Sequence, residues 1–244
     1  MNLMKKVISF SLWGDAAKYN VGAVRNAALS RDIYPDWIPR FYVGATVPND
    51  TLRRLEALGA EIVEKREMGD WRGMFWRFEA ASDPDVEVMI SRDCDSRPSL
   101  REAAAVEEWM RSHFQFHIMR DHPAHCALIL GGMWGVKAPL LRDISNLISA
   151  FPQGDFWQVD QDFLREVIFP RVRRAAMIHD EFFGGRSFPT PRRGHEFVGQ
   201  IFDENEDTPA EDQQALSRAL DASVIDAVFR RLRLRWNAMQ WTSR

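Results

Sequence analysis

Apolar and polar positions repeat along this chain with two periods. KKVISFSL (5–12), WIPRFYVG (37–44), AEIVEK (60–65) and VEVMIS (86–91) are short runs rich in Val, Ile and Phe, and they predict buried strands. Between them, YNVGAVRNAALS (19–30), NDTLRRLEALG (49–59) and MFWRFEAAS (74–82) carry helical spacing. Asn49 or Asp50 would cap the second of these helices, Gly59 would stop it, and Asp83-Pro84 would end the third. Pro98 and Ser99 open a helix over 100–112, and helices are also predicted over 139–151 and 159–172. FQFHIMR (114–120), HCALILGGMWGVK (125–137) and AAMIHDE (175–181) predict the remaining strands. Such alternation argues for an α/β class: a single Rossmann-like domain whose mostly parallel central sheet carries helices on both faces.

The pattern weakens after residue 200. DENEDTPAEDQQ (203–214) is acidic and poor in apolar residues, which predicts an exposed linker. Ile225, Phe229, Leu232, Trp236 and Met239 then share one helical face, with Arg230, Arg231, Arg233 and Arg235 on much of the rest. The expected organisation is a domain over 1–200, an acidic linker over 201–214, and a basic amphipathic helix over 215–244. That helix is expected to pack on its own domain; a dimer contact or a weak contact with an anionic membrane surface is the alternative.

Composition narrows the function classes. With 45% hydrophobic and 27% charged residues the chain has ample material for a core. A net charge of −3 argues against nucleic-acid binding. The 2 cysteines, Cys94 and Cys126, form no disulfide framework, so a cytoplasmic location is expected, peripheral at the inner membrane face if the last helix binds lipid. Ser9 and Ser11 interrupt the run from Val7 to Trp13, which therefore predicts a first strand rather than a signal segment. The 9 tryptophans are unusually many; burial is the plain explanation, while indoles also stack on sugars and bases and could line a cleft.

Chemistry enters at the end of the 86–91 strand, in Arg92-Asp93-Cys94-Asp95-Ser96-Arg97. Open α/β sheets bind ligands at the carboxyl ends of their strands. Residues two apart on an extended chain point the same way, so Asp93 and Asp95 can converge on one hard cation whose open positions suit diphosphate oxygens. A polar turn with one Asp capping and the other paired to Arg92 or Arg97 is an equal alternative, because D-x-D is common by chance. Asp160-Gln161-Asp162 opens a helix after Phe156-Trp157, and Asp160 alone reads as an N-cap. Gly131-Gly132 sit in an apolar strand, for close approach of a ligand or for a bulge. His179 ends the last strand and by itself reads as a core histidine. Asp121-His122-Pro123-Ala124-His125 lies on a loop, since Pro123 disfavours a helix.

Taken in order, these segments resemble nucleotide-sugar glycosyltransferases of the GT-A fold. The match is to the retaining family that includes glycogenin and bacterial lipooligosaccharide galactosyltransferases, over roughly residues 5 to 190. RDCDSR, RDHPAH and GGMWG also resemble glycosyltransferase-like domains of bacterial and viral polysaccharide loci. The resemblance implies that Asp93, Asp95 and His179 hold Mn²⁺ or Mg²⁺, and that Asp160, Gln161 and Asp162 act beside the donor sugar. It implies contacts to nucleotide or sugar from Ser9, Phe10, Ser11, Arg77, Arg92, Asp93, Gly131 and Gly132, with His122 and His125 near donor or acceptor. If the enzyme inverts, Asp155, Asp160 or Asp162 would serve as the base. The chain lacks the H-x-x-G-x-x-K-P motif of that family after His179; Gly184, Gly185 and Arg186 stand in its place.

The implied function is transfer of a hexosyl group from a nucleoside-diphosphate sugar, with a UDP-sugar favoured, to a glycan or lipid-linked hydroxyl acceptor in polysaccharide or glycoconjugate synthesis. A metal-dependent nucleotidyltransferase or phosphohydrolase is the alternative enzyme. A non-catalytic module binding sugar nucleotides or glycans is the alternative from another class.

Overall fold

The computed structural model describes residues 4–152, 154, 156–222 and 224–239, leaving out the side chains of 224, 225, 227 and 235–239. Strands β1 (Lys5–Leu12), β2 (Ile38–Val43), β3 (Glu61–Glu64), β4 (Val86–Ser91), β5 (Phe116–Arg120), β6 (Trp134–Lys137) and β7 (Ala176–Asp180) form one sheet. Its order is β3-β2-β1-β4-β6-β5-β7. β6 runs antiparallel between β4 and β5, and every other pairing is parallel. The α/β class expected from the alternation is the one observed.

Side-chain alternation along the strands builds a core on each face. Ile8, Phe10, Phe41, Val88 and Ile90 pack against Ala23, Ala27, Val106 and Trp109 of helices α1 (Ala17–Ile33) and α3 (Leu100–Met110). Helix α2 (Asn49–Ala57) covers the same face through Leu55. On the opposite face, Val7, Met89, Phe116 and Trp134 meet a 3₁₀ helix over Trp71–Ser82 and the helices α4 (Ile144–Ala150), α5 (Val159–Phe163) and α6 (Phe169–Val172).

The structure departs from the pattern in places. The strand expected over 125–137 survives only as Trp134–Lys137. Before it the chain turns at Gly131-Gly132, where Met133 N–H reaches Leu130 O at 3.1 Å. The helix expected over 139–151 splits into a 3₁₀ turn (Ala138–Leu141) and α4, and a π turn over Leu164–Ile168 separates α5 from α6. Pro48, not Asn49 or Asp50, holds the N-cap position of α2.

The acidic stretch is exposed or half-buried throughout, and its neighbourhood is tied to the domain. Phe202 N–H donates to Asp95 O at 2.8 Å, Glu206 pairs with Arg97 at 3.0 Å, and helix α7 (Ala210–Leu220) starts inside it. Helix α8 (Val224–Met239) packs through Leu234, which joins Leu216, Phe182, Phe183 and Phe197. The face read from the sequence is rotated outward instead: Phe229 is 66% and Leu232 51% exposed. The side chains of Ile225, Trp236 and Met239 lie outside the described residues.

The end of β4 is anchored by buried charge. Arg92 Nε and Tyr34 Oη both donate to Glu102 Oε1 at 2.8 Å, and Arg92 Nη1 donates to Ser91 O at 2.6 Å. Glu102→Ala leaves the Arg92 guanidinium buried without its anion. It is expected to cost about 3–5 kcal/mol in urea unfolding; a loss below about 1 kcal/mol would show that this pair does not anchor the strand.

Candidate active site

A cleft of about 660 Å³ opens at the carboxyl ends of β1 and β4, where an open α/β sheet offers loops from several elements. Its floor is the turn after β4. Cys94 points inward, 4% exposed, with Sγ 3.3 Å from Ser11 O. Burial raises its thiol pKa, so this cysteine is inert packing. With the middle residue turned in, Asp93 and Asp95 both face the cleft. Helix α1 backs the turn closely: Asn26 Nδ2 donates to Cys94 O at 3.2 Å, and a Cβ on Gly22 would lie 2.1 Å from that oxygen.

Each aspartate already has a cation. Lys18 Nζ lies 2.8 Å from Asp95 Oδ2. Burial and the adjacent Asp93 carboxylate raise the Asp95 pKa in spite of Lys18. Burial lowers the Lys18 pKa, but Asp95 more than reverses that, so the ammonium is held charged. Arg77 Nη1 pairs with Asp93 Oδ1, while its Nη2 donates to Asp160 Oδ2 at 2.9 Å. Burial pushes the Asp160 carboxyl up to about 6, against the pull of Arg77.

Three local features place Arg77. Its peptide is clamped by alternate residues of β1, with Ser9 Oγ donating to Arg77 O at 2.6 Å and Arg77 N–H donating to Ser11 Oγ at 3.0 Å. The Asp70 carboxylate caps its 3₁₀ helix by accepting from Arg72 N–H at 2.8 Å. Gly131 and Gly132 leave the space: a Cβ on Gly131 would lie 2.3 Å from Asp160 Oδ2, and one on Gly132 would lie 2.0 Å from Asp93 Oδ2. The glycines therefore admit the chain's own carboxylates. Asp160 stands in the first turn of α5, whose N-cap residue is Gln158, so it is not a cap.

The cleft thus gathers Ser11, Arg77, Asp93, Asp95, Gly131, His125, Asp160 and Gln161 from the residues singled out in the sequence. Others go elsewhere. Ser9 is fully buried beneath Arg77, and Phe10 stacks on Phe41 at 4.6 Å in the core. Arg92 is consumed by Glu102. Asp162 pairs with Arg165 at 2.6 Å on the flank of its helix. His122 stacks on Phe197 at 4.4 Å and contacts Asp212 O at 3.0 Å. Asp155 lies outside the described residues.

His179 is a correction to the metal site. Strand alternation puts it on the α3 face, with Nδ1 2.8 Å from His117 Nε2 and Nε2 3.4 Å from Glu108. Among the described residues no three His, Cys, Asp or Glu side chains are grouped to hold a metal. The chain therefore offers two carboxylates, and a hard cation there would complete its shell with ligand oxygens and water. That donor set fits Mn²⁺ or Mg²⁺.

Sequence reasoning missed Trp13, Lys18, Tyr19, Trp71 and Trp157, which also line the cleft. Trp157 and Trp71 are 60% and 44% exposed, so both indoles present ring surface to the cleft. The excess of tryptophan was the only hint of them.

No protein-family model and no curated protein matches the sequence. Solved structures do match. Glucosyl-3-phosphoglycerate synthase from Mycobacterium tuberculosis in complex with UDP aligns at TM-score 0.50 and 14% identity, over 93% of this chain and 80% of that one. The same enzyme with phosphoglyceric acid aligns at TM-score 0.50 and 14% identity over 78% and 73%. A mannosyltransferase from Pyrobaculum calidifontis with GDP-Man and Mn²⁺ aligns at TM-score 0.48 and 13% identity over 75% of this chain and 58% of that one. Likeness at such identity is one of architecture, and the architecture is the GT-A fold of nucleotide-sugar glycosyltransferases.

Proposed function

We propose that this chain is a divalent-metal-dependent glycosyltransferase that moves a hexosyl group from a nucleoside-diphosphate sugar to a hydroxyl acceptor. The observation that carries the reading is the buried Arg77 guanidinium joining Asp93 of the D-x-D turn to Asp160 across the cleft. It brings a cation-binding pair, a fixed positive charge and a second carboxylate to one place at a strand end. A phosphohydrolase could use the same three groups; the likeness of the sheet to the GT-A fold favours the transferase. UDP in the mycobacterial structure supports a UDP-sugar donor.

In this reading Asp93 and Asp95 would hold Mn²⁺ or Mg²⁺, which would supply positive charge for a departing diphosphate. Arg77 keeps its position through Ser9 and Ser11 and presents fixed positive charge beside the same phosphates. Lys18, 2.8 Å from Asp95, would add positive charge on the same side of the cleft for the phosphate oxygens. Asp160 and Gln161 face the sugar, where Asp160 stabilises positive charge at the anomeric carbon. Asp162 has no part in it. A glycan or lipid-linked hydroxyl is the acceptor, in polysaccharide or glycoconjugate synthesis.

α8 supports a weak contact with anionic lipid. Val228, Phe229 and Leu232 are exposed beside Arg230, Arg231 and Arg233. No helix among the described residues is long and apolar enough to cross a membrane.

Wild-type protein is expected to hydrolyse a UDP-, GDP- or dTDP-sugar slowly, and only with Mn²⁺ or Mg²⁺ present. Asp95→Ala should abolish UDP–Mn²⁺ binding in calorimetric titration while keeping the wild-type circular dichroism. Metal-independent turnover, or wild-type affinity in the variant, would reject the metal assignment; binding without turnover would leave a non-catalytic module. Asp160→Asn should lower transfer on the order of 10²-fold with UDP affinity unchanged within about threefold. Wild-type kcat/KM, which reports groups of the free enzyme, should fall below about pH 6 as Asp160 takes up its proton. Equal loss of binding and transfer would make Asp160 merely structural. Vesicles of anionic lipid should pellet the protein at low salt, and Phe229→Glu should prevent it; unchanged pelleting would remove α8 from the contact.

A further inference from the structure

The cleft is electrically divided. Among the described residues its acidic lining groups are Asp15, Asp93, Asp95 and Asp160 and its basic ones Lys18 and Arg77, both already paired with carboxylates. A divalent ion adds two positive charges and a nucleoside-diphosphate sugar removes about two at neutral pH. The loaded site therefore stays negative, with no free cation left for an anionic acceptor.

Asp160 apart, the lining contributed by the second half of the chain carries no charge. His125, Leu130, Met133, Trp157, Gln161 and Ile201 form it with Gly131 and Gly199. Burial drives the His125 pKa down to about 3, helped by His122, Arg120 and Arg192, so its ring is neutral. His125 and Met133 converge at Gly199, where a Cβ would lie 2.6 Å from Met133 Sδ and 3.4 Å from His125 Cε1. Trp157 is the most exposed large apolar side chain on the cleft, and it precedes Asp160 and Gln161 on the same helix entry. An uncharged lip, a solvent-facing indole and an amide that both donates and accepts match the C–H face and hydroxyls of a pyranose ring.

We propose that this lip is the acceptor subsite and that it takes an uncharged sugar ring stacked on Trp157, so the acceptor is a neutral glycan terminus rather than a phosphorylated or carboxylated small molecule. The inference rests on the glycosyltransferase reading and names the acceptor class of that same site.

The test uses the full chain with UDP and Mn²⁺, titrated by saturation-transfer NMR with methyl glucoside, methyl galactoside, maltotriose and glucose 6-phosphate. At least one neutral glycoside is expected to bind, with glucose 6-phosphate weaker than its neutral counterpart. Trp157→Ala should weaken glycoside binding roughly tenfold and leave UDP–Mn²⁺ affinity within about twofold. Preference for the phosphorylated sugar, absence of binding by all three neutral probes, or unchanged glycoside binding in Trp157→Ala would overturn the proposal. So would loss of UDP affinity in that variant, which would make Trp157 a base-stacking residue. If UDP–Mn²⁺ fails to bind while glycosides still depend on Trp157, the subsite stands and the donor assignment falls.

Discussion

Everything about the cleft depends on one buried guanidinium. Arg77 is 4% exposed and spans two carboxylates that enter from different parts of the chain, Asp93 after β4 and Asp160 at the start of α5. Burying a charge is costly unless it is paired and hydrogen-bonded, and buried ion pairs often stabilise a fold less than apolar packing would. Here the supports are extensive: two serines of β1 hold the Arg77 peptide, and two glycines before β6 leave room for its partners. Four elements are thus committed to one cation. A fold seeking only stability would fill that volume with Leu and Phe, as it does in the core, where Phe75 packs edge to face on Phe78 and Phe163.

The sheet and most helices were legible because alternation and 3.6-residue spacing report directly on burial. The same logic located the D-x-D turn, since residues two apart share a side when the one between is buried. Residues whose roles depend on neighbouring strands were not legible. His179 and Arg92 both sit beside strand ends, yet partners on α3 claim them. For His179 that outcome follows from β6 inserting antiparallel between β4 and β5, which leaves two strands between β7 and β4, and no periodicity encodes it.

Serines 9 and 11 show a subtler failure. Their place near the end of β1 was legible, but not that both hydroxyls hold the Arg77 peptide; of the two, Ser11 also lines the cleft. Gly131 and Gly132 were likewise read as sites of close approach, and what approaches is the chain's own Asp93 and Asp160. Lys18 offered no signal, because a single lysine in the first turn of a helix has no motif; only the folded proximity of Asp95 gives it a role.

The departures from regular structure are not scattered. The 3₁₀ helix bearing Arg77, the glycine turn before β6 and the π turn following Asp160 and Gln161 all border the cleft or the segments that frame it. Each has poorer backbone hydrogen bonding than the α-helix or strand expected from its sequence pattern. A helix of 3.6 residues per turn would present Arg77 and the aromatic residues around it at different angles. A continued strand at 131–133 would drive side chains into Asp93. Local regularity is given up where the geometry of charge has to be met, which is why the sequence pattern misleads most at the residues nearest the chemistry.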